Sequence, residues 1–105
     1  MKKAAGKDKP GLGDEKYDAF YALVRGRVQG VGFRYCTVRE AKRLGLKGWV
    51  RNTRDGDVEV WAEGPREELG IFLSWLKRGN EFSRVDSVDS QGQVPRGCHD
   101  FDVKY

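Results

Sequence analysis

From Tyr17 onward the apolar residues recur in two periods. In FYALVRGRV, Phe20, Ala22 and Val24 alternate, with Arg25 and Arg27 on the opposite side. That is the period of two expected of a strand with one buried face. Glycines 26, 30 and 32 interrupt it. In FRYCTVREAKRLG the positions Phe33, Cys36, Ala41 and Leu44 return near helical spacing, and Gly45 stands where helices commonly close. LKGWVRN predicts a second strand. DVEVWAE predicts a third, with Val58, Val60 and Ala62 on one face and Glu59, Trp61 and Glu63 on the other. The Asp55-Gly56 pair between them has the chemistry of a hairpin turn. After Gly64, Pro65 suits the first position of a helix, and Leu69, Phe72, Leu73 and Leu76 give that helix one apolar face, ending near Gly79. RVDSV and the alternation of Phe101, Val103 and Tyr105 predict two final strands.

The predicted order is β-α-β-β-α-β with an added C-terminal strand. That is the α+β, ferredoxin-like arrangement: two helices on one face of a mostly antiparallel sheet. With 105 residues the chain suits one domain, expected over residues 17–105. Residues 1–16 are polar, basic and broken by Gly6, Pro10, Gly11 and Gly13, and read as a disordered basic tail. No apolar run reaches the length of a membrane span, and the opening residues lack the apolar stretch of a secretion signal. A cytoplasmic monomer without membrane partners is expected.

Charge sharpens this picture. Residues 25–54 carry nine Lys or Arg against Glu40 alone, whereas residues 55–105 carry six against eleven Asp or Glu. Positive charge therefore crowds the segment GRVQGVGFRY and points to a focused anion site. The glycine stretch joins a strand to a helix start, where the first helical amides have no intrahelical partners and the helix dipole favours negative charge. Glycines there let amides approach an anion closely, and Arg34 can fork two N–H groups onto phosphate oxygens. The alternative is a tight turn with a surface arginine. The stretch is neither a Walker A loop nor a GxGxxG fingerprint. Cys36, Cys98 and His99 make no zinc set, so no metal is expected; the cysteines read as free thiols, the alternative being a disulfide between them, which depends on their separation in space.

The residues resemble the acylphosphatase family. GRVQGVGFR, Gly26 to Arg34, is similar to its first signature, and GWVRNTRDGDVEVWAEG, Gly48 to Gly64, to its second. The resemblance spans roughly Tyr17 to Tyr105. It implies hydrolysis of small acyl phosphates, of the acetyl phosphate or 1,3-bisphosphoglycerate type, to carboxylate and phosphate, without metal, cofactor or covalent intermediate. Carried over by position, it implies that Arg34 and the backbone of Gln29, Gly30, Val31, Gly32 and Phe33 bind the phosphate. Asn52 would hold the attacking water, and Thr53 is a secondary candidate for supporting Asn52. An amide cannot act as a base at neutral pH, but its carbonyl can accept a hydrogen bond from water and aim it. Read by itself, Asn52 is equally an ordinary turn-opening asparagine before TRDG.

Two other readings compete. The RNA-recognition fold shares the predicted order, but its central-strand aromatics are absent from DVEVWAEG, so no nucleic-acid partner is expected. A phosphate-binding domain without turnover would use Arg34 and the loop but would have no role for a water-positioning Asn52.

Overall fold

The computed structural model describes residues 16–105; the tail expected before them lies outside the described residues. The elements are β1 (Tyr17–Arg27), α1 (Phe33–Arg43), β2 (Lys47–Asn52), β3 (Val58–Pro65), α2 (Arg66–Arg78), β4 (Arg84–Gln93) and β5 (Phe101–Lys104). They form one five-stranded sheet in the order β4-β1-β3-β2-β5. Three pairings are antiparallel and β5 runs parallel to β2 at the edge. Two helices on one face of this mixed sheet give the ferredoxin-like fold, with β5 as the added strand.

The core lies between sheet and helices. Phe20, Ala22 and Val24 of β1 and Val58, Val60 and Ala62 of β3 meet Phe33 and Ala41 of α1 and Leu69, Phe72 and Leu76 of α2. Phe72 sits at the centre, its ring 6.1 Å from that of Phe20 and 5.8 Å, edge-on, from that of Phe101. Phe33 stacks on Trp75 at 5.7 Å and thereby fastens the start of α1 to α2. Burial of side chains this size removes the apolar surface that drives folding.

The structure departs from the sequence pattern at several positions. The buried stripe of α1 is Phe33, Thr37 and Ala41, not Cys36. Thr37 lies inside because its hydroxyl donates to the Phe33 carbonyl at 2.7 Å, which satisfies the polar group locally. Pro65 ends β3 and precedes α2 as its cap instead of opening the helix. Tyr105 falls beyond β5 and is almost wholly exposed. The outer face of β3 differs most, because Trp61 and Glu63 are buried there. The segment after β4 folds over them, and the Glu63 carboxylate accepts hydrogen bonds from the Arg96, Gly97 and Cys98 amides at 2.7–3.1 Å and from Trp61 Nε1 at 2.8 Å. Burial pushes the Glu63 carboxyl up, but these donors outweigh it and hold it at about 2. Cys98 and Cys36 are free thiols.

Candidate active site

The turn from β1 into α1 takes its shape from two left-handed residues. Gly30 and Gly32 both have φ of 74°, a region that costs a side-chain-bearing residue about 1–2 kcal/mol. Gly32 caps α1 and has no side chain to offer its amides. The Cys36 N–H reaches back to the Gly32 carbonyl at 3.0 Å, while the helical N–H groups before it, at Phe33, Arg34 and Tyr35, face out of the helix start. Buried Phe33 anchors this end of α1 in the core.

Arg34 is the second residue of α1 and is half-exposed. Its guanidinium lies 5.4 Å from the centroid of the Tyr105 ring, within cation–π range. Three other cations of this segment are paired with carboxylates: Arg25 binds Asp89 at 2.8 Å, Arg43 binds Glu40 at 2.6 Å and Arg51 binds Glu59 at 2.6 Å. None of the ion pairs among the described residues involves Arg34. The Tyr21 hydroxyl, which donates to Glu59, is pushed up to about 12 by burial and by that carboxylate. The nine cations of residues 25–54 are thus a partly neutralised set with Arg34 left available at the loop.

Asn52 ends β2, opposite Val58 of β3. Its Oδ1 is enclosed and accepts no hydrogen bond from any group among the described residues. The turn that follows is tied by Thr53, whose N–H donates to the Asp57 carbonyl at 2.9 Å and whose hydroxyl accepts from the Asp57 N–H at 3.1 Å. The Thr53 side chain therefore shapes the hairpin end that holds Asn52.

Gln29 joins the glycine loop to this hairpin. Its Nε2 donates to the Thr53 and Asp57 carbonyls, each at 2.8 Å. Sequence reasoning used only the backbone of Gln29, since nothing in its immediate neighbours reveals where a side chain reaches. Two hollows flank the loop. One, of about 340 Å³, is bordered by Gly30, Gly32, Phe33, Arg34 and Tyr105; the other, of about 450 Å³, by Val31, Gly32, Cys36 and Asn80. Asn52 lines neither. The loop and the Asn52 hairpin meet through Gln29, and Arg34 turns toward the chain's last strand.

Tyr105 and Asn80 escaped the sequence reading. Tyr105 was placed in a strand by alternation. Asn80 follows the α2 terminator Gly79 and carries no local signal, yet its Nδ2 donates to the Val31 carbonyl at 2.9 Å. Among the described residues no group of three His, Cys, Asp or Glu side chains could hold a metal ion.

The fold is that of a small ferredoxin-like α+β domain, with a glycine loop leading into a helix start that carries Arg34. The acylphosphatase family model matches residues 20–103. The chain is 46% identical over 78 residues to an acylphosphatase of Paraburkholderia xenovorans, covering 74% of this chain and 80% of that protein. It is 45% identical over 87 residues to one of Bacillus pumilus, covering 81% and 96%. The crystal structure of acylphosphatase from Bacillus subtilis superposes with a TM-score of 0.82 at 42% identity, covering 84% of this chain and 99% of that one. The chain belongs to the acylphosphatase family.

Proposed function

We propose that the protein hydrolyses the carboxyl–phosphate bond of small acyl phosphates by direct attack of water. The phosphoryl group rests on Arg34 and on the backbone amides of residues 29–33. A water donating to Asn52 Oδ1 attacks phosphorus, the bond from phosphorus to the acyl oxygen breaks, and the carboxylate leaves with its electron pair. The water's proton passes to a phosphate oxygen, so the products are carboxylate and inorganic phosphate. Carboxylate is a good leaving group and needs no strong acid beside it. Such a transfer asks mainly for positioning and for charge stabilisation, which the guanidinium and the amides supply without a metal or a covalent intermediate.

One observation carries this reading. Asn52 Oδ1 is a buried acceptor without a donor among the described residues, a state most buried polar atoms avoid. In this reading the attacking water supplies the missing donor, and Gln29 keeps the hairpin bearing Asn52 against the loop. The fold and family support the substrate class. All groups used lie in one chain, so the reading takes a monomer to be sufficient, and it places the enzyme in the cytoplasm, where such charged metabolites are confined. Size-exclusion chromatography and cell fractionation check these two points.

The test is turnover of benzoyl phosphate with EDTA present, together with inhibition by inorganic phosphate. Asn52→Ala should lower kcat by about 10²- to 10³-fold and leave the phosphate inhibition constant near the wild-type value. Arg34→Ala should impair both. Wild-type turnover in Asn52→Ala removes its role. Phosphate binding by the wild type without any hydrolysis would establish a binding module instead.

A further inference from the structure

The glycine loop is made of residues with wide conformational freedom, so something outside it must select one backbone arrangement. Gln29 holds its first residue and α1 holds its last. The peptide between Val31 and Gly32 lies midway, and Asn80, 49 residues further along, holds it there by donating from Nδ2 to the Val31 carbonyl at 2.9 Å. That distance fixes the orientation of the Asn80 amide, because an oxygen in place of the nitrogen would face another acceptor. A Cβ added to Gly32 would lie 4.0 Å from the same nitrogen.

Asn80 is itself held. Its N–H donates to Ser83 Oγ at 3.0 Å, while Ser83 returns bonds to the Asn80 carbonyl from Oγ at 2.9 Å and from N at 3.1 Å. Its Oδ1 is enclosed with no donor among the described residues. Enclosing an unpaired acceptor is unfavourable, and an apolar side chain of similar size would avoid it. The Nδ2 donor is the feature that such a side chain could not supply.

We propose that Asn80 is a positioning residue for the phosphate loop: by pinning the Val31 carbonyl it turns the Gly32 N–H toward the bound phosphoryl group. The peptide unit is planar and trans, so its C=O and N–H point in opposite directions. A carbonyl drawn to Asn80 on one side of the loop commits the next amide to the other. This inference rests on the reading that residues 29–33 cradle phosphate, and it adds a residue from the α2–β4 connection to that site. In this role Asn80 acts through the loop backbone, by its bond to the Val31 carbonyl.

The experiment measures inhibition by inorganic phosphate, with benzoyl phosphate as substrate, in wild type, Asn80→Leu and Asn80→Asp, at a temperature where circular dichroism shows each folded. The phosphate inhibition constant and KM should rise together by about five- to tenfold in Asn80→Leu, the order expected for one lost hydrogen bond. The kcat should change by less than about twofold, since Arg34 and Asn52 remain. Asn80→Asp keeps the shape but sets an anionic acceptor against the Val31 carbonyl, and should lose more. A role confined to stability would lower the thermal midpoint and leave the inhibition constant alone, which overturns the proposal. If Asn80→Leu fails to fold, the isosteric Asn80→Asp decides by the same criterion. A wild type that phosphate does not inhibit removes the phosphate-cradle reading and this inference with it. A normally inhibited wild type beside unaltered variants removes only this inference.

Discussion

Gln29 shows how one side chain couples two pieces of the site. Its paired bonds to the Thr53 and Asp57 carbonyls at 2.8 Å are the direct tie between the glycine loop and the hairpin end that presents Asn52. Gln29→Ala leaves those two carbonyls without this donor, and at about 1 kcal/mol per bond should destabilise the fold by about 1–2 kcal/mol. Urea denaturation reads that loss. Since the loop and hairpin then move independently, KM and kcat should both worsen, in contrast to the kcat-weighted loss expected of Asn52→Ala. Arg34 was legible as a candidate from the glycine run and helix start around it, and Asn52 only through the resemblance of GWVRNTRDGDVEVWAEG to a family signature. The reach of Gln29 across 24 residues was not, because a side chain's partner depends on which strands become neighbours.

At the scale of elements, periodicity located all seven helices and strands, and the errors cluster where a polar group finds its own partner. Thr37 is buried on α1 through a hydroxyl bond to its own helix, which an apolar count cannot register. The β2–β3 pair depends on a close backbone approach at Gly48, which lies opposite Ala62 with φ of 145°. A Cβ there would run into the Trp61 carbonyl of the neighbouring strand. Gly48→Ala should therefore force the strands apart and cost about 3 kcal/mol or more. Guanidinium unfolding checks this. The damage should extend to activity, because β2 carries Asn52 at its end.

Across the whole molecule, the sheet is covered on both sides, by helices on one and by the segment after β4 on part of the other. Glu63 holds that second cover through the Arg96, Gly97 and Cys98 amides. Its carboxyl sits at about 2 in the fold against an ordinary 4.5. The unfolded chain therefore binds a proton more readily, and the stabilisation from Glu63 is complete above about pH 4.5 and lost as pH falls toward about 2. Glu63→Gln should be less stable than wild type at neutral pH, with the gap closing through that window. Thermal unfolding of the two proteins between pH 7 and 2 measures it. A gap that stays constant with pH would remove the carboxylate from this role. Cys98, whose thiol also donates to Glu63 at 3.3 Å, is pushed up by burial and by that carboxylate, so it should react slowly with thiol reagents in the folded protein.

By itself the sequence determined the element order, the inner core face, the glycine-bearing loop with its arginine and the strand that ends in Asn52. Each follows from spacing along a few adjacent residues, where periodicity and backbone stereochemistry act directly. Tertiary structure alone decided which distant groups hold these parts: Gln29 on the hairpin, Asn80 on Val31, the Tyr105 ring beside Arg34 and the loop amides on Glu63. Those contacts join residues far apart in the chain, and their existence depends on strand order and on where the segments after α2 and after β4 come to lie. The candidate groups are written locally, while the contacts that hold them in place are a property of the packed whole.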